Sequence, residues 1–294
     1  MNQKPIVCFG EILWDILPSG SFPGGAPLNV AYHLRKLGNP VTLITRFGLD
    51  EEGKKLVTLI DGYAIGTEYF QVDTEWPTGK VLGTIHENHE VRYDILRPVA
   101  WDFIEWSNEL GELAAGAPYL VFGSLAARSA VSRETLYRLL EAAPRRVLDA
   151  NLRPPHYTRE TLEKLFTRLH LLKLNHEELE GITGWFSRYK TDAERVQILQ
   201  DRFDIPVIVV TRGAKGALLN MEGTVYEEPG LTVDVMDTVG SGDAFLAGLL
   251  TQLRLGRSPT EALRFANATG AFVATRKGGC PAYDPEEISI TINR

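Results

Sequence analysis

One carboxylate in this chain stands where it could take a proton from an attacking hydroxyl. Asp243 closes the run Asp237-Thr238-Val239-Gly240-Ser241-Gly242-Asp243 and leads into the apolar stretch Ala244-Phe245-Leu246-Ala247-Gly248-Leu249-Leu250. Two glycines around a serine let backbone N–H groups converge, and a following helix adds the positive end of its dipole. A turn of this kind cradles an anion, with Asp243 at its mouth as a candidate general base. The same residue types also make ordinary helix caps.

A second stretch, Gly24-Gly25-Ala26-Pro27-Leu28-Asn29, sets a glycine loop beside an amide side chain at a helix start. Carboxylates accept from hydroxyls and an amide both gives and accepts. Asp15, Asn29 and Asp243 would therefore make a polyol pocket if the fold brings them together. Three further motifs follow apolar strand patterns, at the carboxyl ends where open α/β sheets bind ligands. In Asp149-Ala150-Asn151-Leu152-Arg153-Pro154, Arg153 could neutralise a phosphate. In Lys173-Leu174-Asn175-His176-Glu177-Glu178, Asn175 and Glu178 share a helical turn and fit magnesium bound through water. Thr211-Arg212-Gly213-Ala214-Lys215-Gly216 is the third.

Other chemistries find no support. Gly48-Leu49-Asp50-Glu51-Glu52-Gly53-Lys54-Lys55 has P-loop glycine spacing, but it ends in lysine where Ser or Thr should reach the metal. Its three consecutive carboxylates would repel a triphosphate. Gly10-Glu11-Ile12-Leu13 replaces the glycine turn of a dinucleotide fold. The six histidines, among them His86, His89, His156 and His170, show no metal-ligand spacing, and no Gly-x-Ser-x-Gly nucleophile turn occurs.

The elements that must position these residues read as an alternation of strands and helices. Strands are expected at residues 5–9, 41–45, 119–122, 147–149, 171–174 and 206–210. Helices are expected from Pro27 to Gly38 and at 51–60, 131–142, 159–168, 176–181, 192–201, 243–255 and 260–275, the last two closing the chain. Asn29 and His33 are four apart and share a helix face. That order favours parallel strands with crossover helices in one doubly wound α/β domain spanning residues 1–294. Residues 216–221 and 224–227 read as a hairpin. Between 69 and 96 the pattern changes to alternation, with 78–86 and 90–96 flanking a turn at Glu87-Asn88-His89. These strands are expected to leave the main sheet as a small β lid, formed by about residues 13–22 and 69–97.

Composition agrees. The chain has 294 residues, 44% hydrophobic and 23% charged, ordinary for a globular protein. A formal charge of −7 excludes a general nucleic-acid binder, which carries a basic stripe. No apolar run approaches the roughly 18 residues of a membrane span, and no signal peptide is evident. Cys8 and Cys280 read as free thiols. A cytoplasmic location is expected, with a homodimer through the lid's sheet edge.

On these motifs the chain resembles the ribokinase-like (PfkB) carbohydrate kinases, and among them the bacterial fructokinases. Gly24-Gly25-Ala26-Pro27-Leu28-Asn29-Val30-Ala31, with Gly38 and Gly48 downstream, resembles the family's N-terminal signature. Residues 237–250 resemble its C-terminal signature, and the similarity spans essentially the whole chain. The resemblance implies ATP-dependent transfer of a phosphoryl group to a free sugar, fructose first. Ribose, a 2-keto-3-deoxy sugar acid and a nucleoside stay open as acceptors, as does a sugar-responsive binding protein without catalysis. It implies Asp243 as base, the amides of Gly240, Ser241 and Gly242 as anion hole, and Asp15, Gly25 and Asn29 on the sugar, with Tyr93, Arg97 and Arg153 nearby. It further implies Asn175, Thr211, Gly213, Gly216 and Asn267 at ATP and Glu178 supporting Mg2+. K+ would lie by Asp237 and the Val239 carbonyl.

Overall fold

In the computed structural model, residues 3–18, 20–85, 91–186, 188 and 191–292 are described. The expected turn at Glu87-Asn88-His89 lies outside them, as does His86. Nine strands form one sheet: β1 (Ile6–Phe9), β4 (Val41–Gly48), β5 (Phe70–Asp73), β8 (Leu120–Gly123), β9 (Arg146–Asp149), β10 (Leu171–Asn175), β11 (Val207–Thr211), β12 (Ala217–Met221) and β13 (Thr224–Glu228). The order is β13-β12-β11-β10-β9-β8-β1-β4-β5, parallel except for the antiparallel β11-β12-β13 edge. A second, four-stranded sheet orders β3 (Gly20–Gly24), β2 (Leu13–Leu17), β6 (Gly79–Ile85) and β7 (Val91–Ile95).

Parallel strands need crossovers, and helices on both faces leave near-continuous apolar strands. Alternation along β1 shows the two layers. Ile6 and Cys8 join a core with α1 (Ala26–Lys36), α2 (Glu51–Gly62), α8 (Ser241–Arg254), α9 (Pro259–Ala274) and α10 (Glu286–Ile292). Val7 and Phe9 join the other, with α3 (Asn108–Gly116), α4 (Ala130–Ala142), α5 (Arg159–Phe166), α6 (His176–Thr183) and α7 (Asp192–Phe203).

Three expectations are corrected. Phe70–Asp73 does not leave the main sheet: it pairs in parallel with β4, where Arg46 Nε meets the buried Asp73 Oδ2 at 2.7 Å. Pairing a buried carboxylate with a neighbouring strand's arginine decides against the surface alternation that the sequence shows. Helix α3 was not expected; Ser107 caps it, accepting from the Leu110 N–H at 3.3 Å. Helix α10 follows the two helices expected to close the chain, and its start is tied by Asp284 accepting from the Glu286 N–H at 3.0 Å.

The P-loop look-alike is a cap. Asp50 accepts from the Gly53 N–H at 2.7 Å at the start of α2, and from the Thr78 hydroxyl at 2.6 Å ahead of β6. Among the described residues no helix is long and apolar enough to cross a membrane.

Candidate active site

The parallel strands deliver their carboxyl ends to the start of α8. In register, Lys173 on β10 stands beside Asp149 on β9, and Asn175 beside Thr211 on β11. Gly240 caps α8 at φ 77°, a left-handed conformation that favours glycine. A Cβ there would meet Gly279 Cα at 2.6 Å, so the turn and the segment around Gly279 pack backbone to backbone. No side chain caps this helix, and Ser241 and Gly242 line a cavity. The Ser241 N–H is engaged by the Thr238 carbonyl at 3.2 Å.

Asp243 lies in the first turn of α8, buried, and accepts from Asn29 Nδ2 at 2.8 Å. Of the three residues named from the sequence, Asn29 and Asp243 thus meet across 214 residues of chain. Burial pushes the Asp243 carboxyl up to about 6, with Asp149 adding to the rise and Lys173, Asn29 and Arg153 opposing it. Asp15 on β2 is likewise pushed up to about 6 by burial and opposed by Arg153. One guanidinium therefore acts on both carboxyls. Gly25 precedes α1 where a Cβ would run into the Glu11 carbonyl.

Helix α1 pins the segment that backs the glycine turn. A Cβ on Gly279 would stand 2.7 Å from Asn29 Nδ2, and Cys280 Sγ lies 3.4 Å from Asn29 Oδ1. His33 Nε2 is 2.9 Å from the Gly279 carbonyl, which can only accept, so that nitrogen carries the proton and Nδ1 accepts from the Tyr283 hydroxyl at 3.0 Å. Burial lowers the His33 ring to about 4, which keeps it neutral. The shared face of Asn29 and His33 thus grips one residue, Gly279.

On the other side of Gly242 opens a cavity of about 350 Å3. Thr211, Gly213, Gly216 and Asn267 line it, with Phe245, Ala271 and Val235 supplying apolar wall. Asn267 Nδ2 donates to the Glu228 and Pro229 carbonyls, both at 3.3 Å, and so ties α9 to the end of β13.

Other expected residues lie apart. Asn175 does not line the cavity; its side-chain oxygen caps α6, accepting from the Glu178 N–H at 2.8 Å. Glu178 returns the bond to the Asn175 N–H at 2.9 Å and also accepts from the Leu152 N–H at 2.7 Å. Burial raises its carboxyl, with Asp149 adding to the effect. Asp237 accepts from the N–H groups of Val239 at 3.0 Å and Gly278 at 2.9 Å, clipping the glycine turn to the segment behind it. Tyr93 sits on β7 opposite Gly83, 55% exposed. Arg97, also exposed, acts on His156 rather than on Asp243. Among the described residues no group of three or more His, Cys, Asp or Glu could hold a metal ion.

Three residues escaped the sequence reading. Lys173 is buried and holds both Asp149 oxygens, at 2.8 and 2.7 Å. Glu11 is 2% exposed and pushed up to about 7 by burial. Gly279 is the third. The first two left a signal, since a lone charge inside an apolar run must find a partner or change its proton affinity.

A doubly wound sheet, a carboxylate buried at a glycine turn and a cavity beside that turn are what a group-transfer enzyme of the sugar-kinase class needs. Residues 20–286 match the pfkB family carbohydrate kinases, and the chain belongs to that family. It is similar to a fructokinase of Klebsiella pneumoniae, 30% identical over 96% of each chain. It is also similar to fructokinase-2 of Zea mays, 30% identical over 94% of this chain and 90% of that one. The crystal structure of a fructokinase with bound ATP from Xylella fastidiosa shares the fold: TM-score 0.86, 24% identity, 99% and 98% of the two chains covered. So does a fructokinase of Vibrio cholerae O395 in a fructose-, ADP- and calcium-bound form: TM-score 0.83, 24% identity, 98% and 99% covered.

Proposed function

We propose that this carbohydrate kinase transfers the γ-phosphoryl group of ATP to a hydroxyl of free fructose. The observation that carries the reading is the contact of Asn29 with Asp243. It joins α1, the helix that follows the small sheet, to the first turn of α8, whose Gly242 lines the cavity. An acceptor held by Asp15, Gly25, Asn29 and Arg153 then meets the base on one side of the turn. The nucleotide occupies the cavity of Thr211, Gly213, Gly216 and Asn267 on the other. The fructokinase relatives favour a ketohexose among the acceptors.

Phosphoryl transfer asks for positioning and charge neutralisation more than for covalent help. The sugar hydroxyl attacks in line, Asp243 receives its proton, and the amides of the first turn of α8 face the charge that develops on the phosphoryl oxygens. Loss of one such donor typically slows turnover roughly 100- to 1000-fold. Mg2+ suits a site where the nucleotide's phosphates and water supply most ligands, and Glu178 is the carboxylate that would support it through water. Asp237 and the Val239 carbonyl would hold a monovalent cation behind the turn. Closure of the small sheet, with Tyr93 and Arg97 at its margin, would exclude water. The exposed edge of the small sheet is also the surface for a homodimer.

Sugar-dependent ADP release tests the reading, with magnesium and potassium present. Fructose is expected to give the highest kcat/KM among fructose, ribose, a 2-keto-3-deoxy sugar acid and a nucleoside. A higher value for another acceptor would replace fructose. No release above the acceptor-free rate with any sugar would leave a binding protein in place of the kinase.

A further inference from the structure

Lys173 is a full charge inside a sheet, and the reaction outlined above gives it no task. Its neighbours on β10 are Leu171, Leu172 and Leu174, all buried. An ammonium is kept in such a place only against a partner. Asp149 on the adjacent strand supplies two oxygens, which uses two of the three N–H donors. The direction of the side chain is set by a second contact. A Cβ built on Gly242 would stand 3.1 Å from Lys173 Nζ, and outside its own helical turn would meet only Lys173 within 4 Å. The ammonium therefore abuts the first turn of α8, one residue before Asp243.

Two buried carboxylates, Asp149 and Asp243, thus share one buried cation. Like charges at close range cannot both ionise without compensation. The other groups acting on Asp243 have been placed: Arg153 beyond β9, the Asn29 amide on α1, Glu11 after β1 and Cys280 behind the turn. Of the two cations, Arg153 is exposed and Lys173 is buried.

Resting on the kinase reading, we propose that Lys173 is a positioning residue for phosphoryl transfer: clamped by Asp149 against the glycine turn, its charge lets Asp243 stay ionised beside a second buried carboxylate. The proton of the attacking hydroxyl then has an ionised base to reach at neutral pH. The order of influences agrees, since Asp149 raises the Asp243 carboxyl and Lys173 lowers it.

The pH profile of kcat, together with direct titration of Asp243 by carboxyl 13C NMR on aspartate-labelled enzyme, tests this. Asp243→Asn assigns the resonance. In Lys173→Met the Asp243 titration and the acid limb of kcat are expected to move up together by one pH unit or more. Turnover would then fall roughly tenfold more at pH 6 than at pH 8.5, because the base is protonated in proportion. Lys173→Arg keeps the charge and is expected to keep both within half a unit. Asp149→Asn frees the cation and moves both down. The double variant Lys173→Met/Asp149→Asn removes both charges; it serves if the single variant does not fold, and both readouts should return to within half a unit of the wild type. A uniform loss across pH with an unmoved titration would overturn the proposal, as would a double variant shifted as far as Lys173→Met. If the wild type turns over no sugar, the kinase reading has failed. The titration still decides the charge pairing by itself.

Discussion

The two sides of the glycine turn are built on opposite plans. On the side proposed for the acceptor, Glu11, Asp15, Asp149, Lys173 and Asp243 gather charge where burial raises every cost, and Asp149, Lys173 and Asp243 each have a named partner there. On the side proposed for the nucleotide, the cavity is walled by Gly213, Gly216 and Gly270 with Ala271 and Phe245, and presents few ionisable groups. The contrast follows from what each ligand asks. A small sugar gives the protein only hydroxyls, so discrimination and proton transfer both come from placed side chains. A nucleotide brings its own charge, which backbone amides can meet. The acceptor side should therefore be brittle to small displacements, and the nucleotide side tolerant.

Among changes that leave Asp243 itself in place, the largest expected effect is at Gly279. In Gly279→Ala the new methyl meets Asn29 and pushes it off Asp243. A misplacement on the order of 1 Å costs roughly 100-fold in kcat/KM. The matched change across the turn, Thr211→Ala, should cost no more than about tenfold, and in the KM for ATP rather than in kcat. Steady-state kinetics on both variants checks the pair. Equal losses would erase the contrast.

A smaller effect is expected at Glu11. Its Oε2 is buried without a hydrogen-bond partner, and burial lifts the carboxyl from 4.5 to about 7. The folded state then holds this proton more tightly than the unfolded state. The stability it contributes is present at low pH and is lost as pH rises from about 4.5 towards 7. Glu11→Gln is therefore expected to stabilise the fold at pH 8 by roughly 2–3 kcal/mol, and hardly at all at pH 4.5. Urea denaturation at the two pH values measures it; an equal change at both would mean that the carboxylate's charge is not what the fold pays for.

The same contrast governs how much could be read before the structure. Sheet type, both helix layers and the residues around Gly242 were legible, because periodicity and glycine turns are local signals. Asn29 and Asp243 were legible as a pair only through their chemistry, since 214 residues separate them. Lys173 and Glu11 stood in plain view inside apolar strand patterns, yet nothing local names the partner of a buried charge. Asp73 misled for the same reason: a carboxylate in an alternating run looks exposed until Arg46 is found beside it. Asn175 and Glu178 carried a motif whose spacing fits both a metal site and a capping box, and the fold uses the capping bonds.

The central claim is that Asp243 accepts the proton of a sugar hydroxyl as phosphorus moves across the glycine turn. It is tested most directly by following ATP and fructose with 31P NMR in wild type and Asp243→Asn, with calorimetry of fructose binding to both. The wild type is expected to build a phosphomonoester signal as the γ-phosphate signal declines. Asp243→Asn should bind fructose within about tenfold of the wild type and form product at least roughly 1000-fold more slowly. Phosphomonoester formation by Asp243→Asn at a near-normal rate would contradict the account.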